Sequence, residues 1–280
     1  MLNLINMNLT RLFKTKVFYV TLLILCTLVF MLTKAEVSVN DENGKVQQMV
    51  NENEEITEDD KAEIMSDLTE EIPDTFDETV KGQMGSGMLF IMVGIFAAVY
   101  NDEERKSGFL KNLTQTKGKQ MIFLSKIPVI LLYTLIMVLA TFVAVKIGFI
   151  GSGLSIENVF DVIRFMAYEV LYVTAFGVGI MAIYEIARGS VVPIILTIIF
   201  AGNLQGQILQ FIEVKLAGLS DFFVNIFSKF DLSQNLIVSK AGQLQAGAGF
   251  SYTSGLIVGL IGLVVYSIIG MTVFADRDTY

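Results

Sequence analysis

Three polar groups stand where the sequence is otherwise apolar, and they are the first candidates for chemistry. Glu169 precedes the run VLYVTAFGVGIMAIY, residues 170–184, which is too short to cross a bilayer alone. The helix that holds it must begin earlier, near residue 163, and carry Glu169 about 9 Å below its outer end at 1.5 Å per residue. A carboxylate at that depth either lines a substrate path or is satisfied by a neighbouring helix or by Arg164. Asn203 and Gln207, followed by Gln210, lie at i, i+4 and i+7 beyond VVPIILTIIFAG, so an uncharged polar face extends the candidate path. The remaining chemistry is narrow. The chain has no His, which removes the usual zinc ligand and the usual proton shuttle of membrane proteases, and leaves Ser86 of the GSG at 85–87 without a base. It has no G-x-x-x-x-G-K-[ST] to cradle a nucleotide, and its single Cys26 has no partner in the chain for a disulfide. An enzyme is a poor reading, and no metal site is expected.

The elements that must position these groups are membrane spans. Hydrophobic residues make up 53% of the 280, charged residues 17%, and the mean hydropathy is +0.61. Six apolar runs are long enough to cross a hydrocarbon core of about 30 Å. They lie near 17–33, 84–100, 126–146, 163–185, 190–212 and 253–274. Arg11, Lys14 and Lys16 precede the first run, Arg188 separates the fourth from the fifth, and Arg277 follows the last. With an even number of spans, the positive-inside rule puts both termini in the cytoplasm. The fold class is therefore an all-α integral membrane protein of six helices.

The segments between the spans differ sharply in charge. Residues 34–85 carry sixteen acids against four lysines, a net charge of −12 within a chain total of −8. They form an acidic extracellular loop in which TEDDKAEIMSDLTEEI reads as an amphipathic helix, capped by Thr57 and stopped by Pro73. Such a loop either attracts cationic ligands or is simply a solvated face. Residues 214–251 contain short amphipathic pieces such as DFFVNIFSKF, expected to lie as re-entrant or interfacial helices before the last span. That span opens GLIVGLIG, so Gly255 and Gly259 form a small-xxx-small pair for close helix packing, and Gly87 and Gly94, two turns apart in the second span, are expected to serve helix packing similarly. Pro128 and Pro193 fall near the starts of the third and fifth spans, where they permit a kink or are tolerated in a first turn.

Between the second and third spans lies AVYNDEERKSGFLKNLTQTKGKQMIF, residues 98–123, with Arg105, Lys106, Lys111, Lys117 and Lys119 against Asp102, Glu103 and Glu104. Asn101 is expected to cap a short helix with Glu104 at its third position, and Gly108 to end it. This structured cytoplasmic loop, 101–120, is either a docking surface or an anchor on anionic lipid headgroups. The acid, then glycine, then basic stretch leading into a Ser-Lys pair, EERKSGFLKNLTQTKGKQMIFLSK, resembles the membrane subunit of a type-2 ABC exporter. So does the order of elements: a basic amphipathic opening, MLNLINMNLTRLFKTK, six spans, and polar external helices before the sixth. The long external loop loosely resembles that of bacitracin-type drug exporters and lantibiotic-immunity permeases. The resemblance implies one ABC transporter transmembrane domain over 1–280, with an interfacial N-terminal helix, in a bacterial plasma membrane. It implies a coupling loop built from Glu103, Glu104, Gly108, Lys111, Lys117, Lys119 and Lys126. It also implies a separate ABC ATP-binding subunit that holds the ATP and Mg, while this chain binds no cofactor, and a second permease copy or a sister permease as partner. Nucleic acid is not an expected partner. A non-transporting receptor or scaffold, its acidic loop binding a ligand, is the alternative.

Overall fold

A computed structural model describes residues 2–52, 75–108, 118–150, 158–217, 231, 233–247 and 250–276. The described residues form eleven helices and no strand. In chain order they are α1 (Leu2–Leu12), α2 (Lys16–Glu52), α3 (Phe76–Gly85), α4 (Met88–Lys106), α5 (Lys119–Leu124), α6 (Ile127–Gly148), α7 (Val159–Ala187), α8 (Val191–Ala201), α9 (Leu204–Ala217), α10 (Ile237–Ala246) and α11 (Tyr252–Asp276). Among the described residues five segments are long and apolar enough to cross a membrane, and the bent pair α8 and α9 brings the number to six if it counts as one span.

The bundle is built around α7. Its sequence is apolar on every side from Tyr172 to Ala182, and a helix of that kind is stable only when neighbours surround it. They do: α7 packs against α3, α4, α6, α8, α10 and α11. Small residues bring the neighbours close. A Cβ placed on Gly177 would lie 2.8 Å from Ile130 and 2.9 Å from Val93. On α11, Gly255 faces Tyr172 and Gly259 faces Leu171, so these glycines pack α11 against α7 within one chain. Gly94 of α4 meets Thr197 of α8 in the same way. Phe96 of α4 stacks on Tyr133 of α6 with ring centroids 3.7 Å apart, and the Tyr133 hydroxyl lies 2.6 Å from Thr21 Oγ1 of α2.

Four features depart from the reading of the sequence. The first helix does not stop with its apolar run at residue 33 but continues to Glu52, because a helix already nucleated propagates one hydrogen bond per residue without further burial. The second and third spans are each preceded by a short helix across a tight break. At the first break Gly87 adopts φ 81°, a left-handed conformation, with the Ala201 carbonyl where a side chain would be. The apolar run 190–212 is not one straight helix, since α8 and α9 meet at 68° across Gly202 and Asn203. Asn203 itself sits at φ 54°, which asparagine tolerates better than most residues. Asn101 is no cap: it lies inside α4, its side-chain amide donating to the Ala97 carbonyl one turn back at 2.7 Å. The helix ends instead at Lys106, with Gly108 at φ 67°. Pro128 and Pro193 both lie in first turns, of α6 and α8. The amphipathic helix expected at 57–72, the segment DFFVNIFSKF, Arg277, and Lys111 and Lys117 all lie outside the described residues.

Candidate functional site

The end of α4 and the start of α6 meet α1 in a buried ionic network made by three parts of the chain. Glu104, in the last turns of α4, has no exposed surface. One carboxylate oxygen lies 2.5 Å from Lys126 Nζ, and the other lies 3.3 Å from an Arg11 guanidinium nitrogen. Lys126, also fully buried, occupies the break between α5 and α6 and donates in addition to the Asn101 side-chain amide oxygen, Oδ1, at 2.7 Å. Its ammonium lies 5.4 Å from the centre of the Phe274 ring on α11. Arg11, on the last turn of α1, donates to the Tyr100 carbonyl and lies over the Tyr100 ring, 4.8 Å from its centroid. Asn8, one turn earlier, donates to Ser125 Oγ at 2.9 Å, and its own carbonyl accepts from the Tyr100 hydroxyl.

Each member is held where it is by local sequence. Leu4, Asn8 and Leu12 form the buried face of α1, so a polar residue is carried into the core on an apolar stripe. Asn101 and Glu104 lie one turn apart on α4 and face the same break. Burying Glu104 with two cations and Lys126 with two acceptors compensates charges that would be costly alone.

The network extends across the base of the bundle. Lys119, at the start of α5, donates to the Ala275 carbonyl near the end of α11 at 3.2 Å. Arg105 donates to the Arg188 carbonyl in the turn between α7 and α8, and the Tyr184 hydroxyl of α7 donates to Asp102. Both flanks of the loop are therefore tied to α1, α4, α6, α7 and α11. Above them Glu103, Arg105, Lys106 and Gly108 are exposed. The sequence pattern brought Glu104, Lys119 and Lys126 forward. Ser125 entered only as half of the Ser-Lys pair, and the pattern missed Asn8, Arg11 and Tyr100 as members of the network, for which the one available signal was Asn8 on the apolar stripe of α1.

The second candidate site is Glu169. It lies about 15 Å along α7 from Val159, at 1.5 Å per residue, and is fully buried. Neither of its oxygens has a hydrogen-bonding partner among the described residues, and neither does the hydroxyl of Tyr172, less than a turn further on. Arg164 does not serve it. That guanidinium pairs with Asp161 at 2.6 Å and lies over the Tyr252 ring, 3.9 Å from its centroid. Asn203 and Gln207 are not joined to Glu169. The Asn203 oxygen accepts from Ser239 of α10 at 3.0 Å, and Gln207 is exposed. The helix end above Glu169 is closed by α3: Lys81 pairs with Asp161, Asp77 accepts from the Asn158 amide at 2.8 Å, and Gln83 donates to Glu36 of α2 at 2.6 Å.

Residues 64–202 match the family described as ABC-2 family transporter protein. The match supports an ABC-2 type permease. It covers Glu104, Lys126 and Glu169 and ends at the break after α8, so Arg11, Asn203, Gln207, Gly255 and Gly259 lie outside it. An ABC-2 type permease is the membrane component of an ABC transporter, a multi-pass protein whose ATPase resides in a separate subunit. No curated protein matches the chain.

Proposed function

We propose that this chain is the permease subunit of an ATP-driven exporter, coupled to its ATP-binding subunit through the loop 101–120. The observation that carries the reading is the ionic network beneath that loop. A load applied at its exposed residues passes through Glu104 and Lys126 to α1, α4 and α6, and through Lys119 to α11. Packed cores and ion-paired networks have few alternative arrangements, so such a base moves as a unit. On this reading the loop end of the bundle is cytoplasmic and α1 lies along the membrane surface. ATP and Mg are held by the partner, and two permeases, identical or sister chains, enclose a path in a bacterial plasma membrane.

The substrate class follows from the path. With Glu169 as its buried polar group, and Asn203 and Gln207 apart from it at the break after α8, it suits an amphipathic peptide, drug or lipid-like molecule. The acidic segment 34–85 favours a cationic one, such as an antimicrobial peptide exported in self-protection. Deleting residues 40–80 is expected to lower peptide resistance; unchanged resistance removes that part of the reading.

Purification of the tagged chain from its native host tests the whole. Recovery of an ATP-binding subunit that is lost when residues 103–111 are replaced supports the coupling role. Recovery of the chain alone under gentle extraction sinks it and favours a receptor whose outer loop binds a ligand.

A further inference from the structure

The C-terminal part of the chain holds a space that neither the ionic network nor Glu169 uses. A groove of about 680 Å³ runs along α11 beside the start of α10. At one end stand the amide of Asn235 and the hydroxyls of Thr253 and Ser254; beyond them the wall is Ile257, Ile261 and Val265. These three aliphatic residues lie on one face of α11 and are 50%, 57% and 43% exposed, so the groove opens sideways, toward lipid. From Ser254 to Val265 the helix advances about 16 Å, close to half of the ~30 Å hydrocarbon thickness. The groove is thus one leaflet deep, polar at the membrane surface and aliphatic below.

The lining also selects against charge. Among the described residues that line it there is no Lys, Arg, Asp or Glu. An ionised head group placed there would lose water without gaining a counter-charge, whereas an amide and hydroxyls satisfy a head group made of hydroxyls.

Beside the groove lies a mostly apolar cavity of about 210 Å³ among α7, α8, α9, α10 and α11, with Gln205 as its one amide among the described residues and Leu236, Ile237 and Tyr266 lining both spaces. Two of these side chains rest on bare backbone. A Cβ on Gly262 would lie 2.5 Å from Ile237, and one on Gly179 would lie 3.1 Å from Tyr266. The cavity is below the ~300 Å³ at which pockets hold a ligand by themselves, while the groove is above it. The smaller space is an annex to the larger.

We propose that the groove between α10 and α11 binds one uncharged, single-chain amphiphile of the monoacylglycerol class. Its head group lies at Asn235, Thr253 and Ser254, its chain along Ile257 and Ile261, and its tip against Tyr266. This needs α11 to span a bilayer and is independent of coupling to ATP.

The test uses the full chain in phosphatidylcholine nanodiscs with a photoreactive diazirine monoacylglycerol, the labelled peptides being sequenced. Label is expected to concentrate on 235–237 and 257–265, and to be displaced by excess monoacylglycerol but not by oleate. Thr253→Asp combined with Ser254→Asp should lower groove labelling about five-fold, equivalent to roughly 1 kcal/mol of affinity. Labelling of exposed Leu23 and Leu28 on α2 should be unaffected by it, which also reports that the fold is intact. Ile261→Trp, which fills the groove without adding charge, should have the same effect. Label spread evenly over α2 and α11 without competition means bulk lipid contact and overturns the site. Equal displacement by oleate overturns the uncharged head group.

Discussion

Among the described residues two carboxylates have no exposed surface, Glu104 in α4 and Glu169 in α7. Glu104 lies between Lys126 and Arg11 at 2.5 and 3.3 Å. Glu169 has no hydrogen-bonding partner among the described residues, and the nearest cation in sequence, Arg164, is engaged with Asp161. Burial is the same at the two sites and compensation is opposite. A buried carboxylate with two cations fixes the relative placement of the helices that carry them, since losing any one leaves the others uncompensated. A buried carboxylate with none adds nothing to packing. Its contacts are left for a substrate or a different arrangement of the helices to complete, which is the property wanted in a transport path and unwanted in a hinge.

The comparison breaks first at Glu104. Glu104→Ala leaves Lys126 buried beside a single amide oxygen and is expected to lower stability by about 3–5 kcal/mol, seen as loss of the monodisperse peak in gel filtration or a fall in Tm. Lys126→Met removes the nearer cation but leaves Arg11, so the expected loss is smaller, about 1–3 kcal/mol. Combined as Glu104→Ala with Lys126→Met, the losses should fall short of additivity by about 0.5–3 kcal/mol. Strict additivity would mean that the residues do not act as a unit.

Glu169→Gln sharpens the contrast by its sign. Replacing a buried carboxyl that has no partner should leave stability unchanged or raise it by up to ~1 kcal/mol. Substrate-stimulated ATPase of the assembled transporter should nevertheless fall about ten-fold, equivalent to 1.4 kcal/mol of transition-state stabilisation. A Tm drop as large as that of Glu104→Ala would show that Glu169 has a structural partner and end the comparison.

How much of this was legible in the sequence depends on range. Apolar runs placed the spans because hydropathy is a local property, and α7 and α11 follow their runs closely. The burial of Glu169 was legible for the same reason: the run after it is too short to cross alone. What the sequence hid was decided between elements. Asn101 reads as a cap, yet its side chain is satisfied within α4 and by Lys126, a partner on another helix. Arg11 reads as a topological signal flanking the first span, and no periodicity links it to Glu104. The bend at Gly202 and Asn203 falls inside a continuous apolar run, where hydropathy is blind to backbone direction.

The smallest expected effect is at Lys106, and it isolates the exposed end of α4 from the buried network beside it. Lys106 and Lys126 are the same residue type at the two margins of one loop. The first is 75% exposed and paired with Asp102 one turn earlier at 2.6 Å, while the second is sealed against Glu104. Exposed pairs of this kind contribute little, so Lys106→Ala should change stability by no more than ~0.5 kcal/mol. If the loop docks on an ATP-binding subunit, the lysine acts there through long-range attraction, and Lys106→Glu should slow association several-fold at low salt and much less at high salt. The folded fraction of Lys126→Met should associate at the wild-type rate and transmit the motion poorly, with ATP hydrolysis uncoupled from substrate. Association kinetics at two ionic strengths, read beside coupled ATPase, separate a lysine that meets the partner from one that only holds the loop in place.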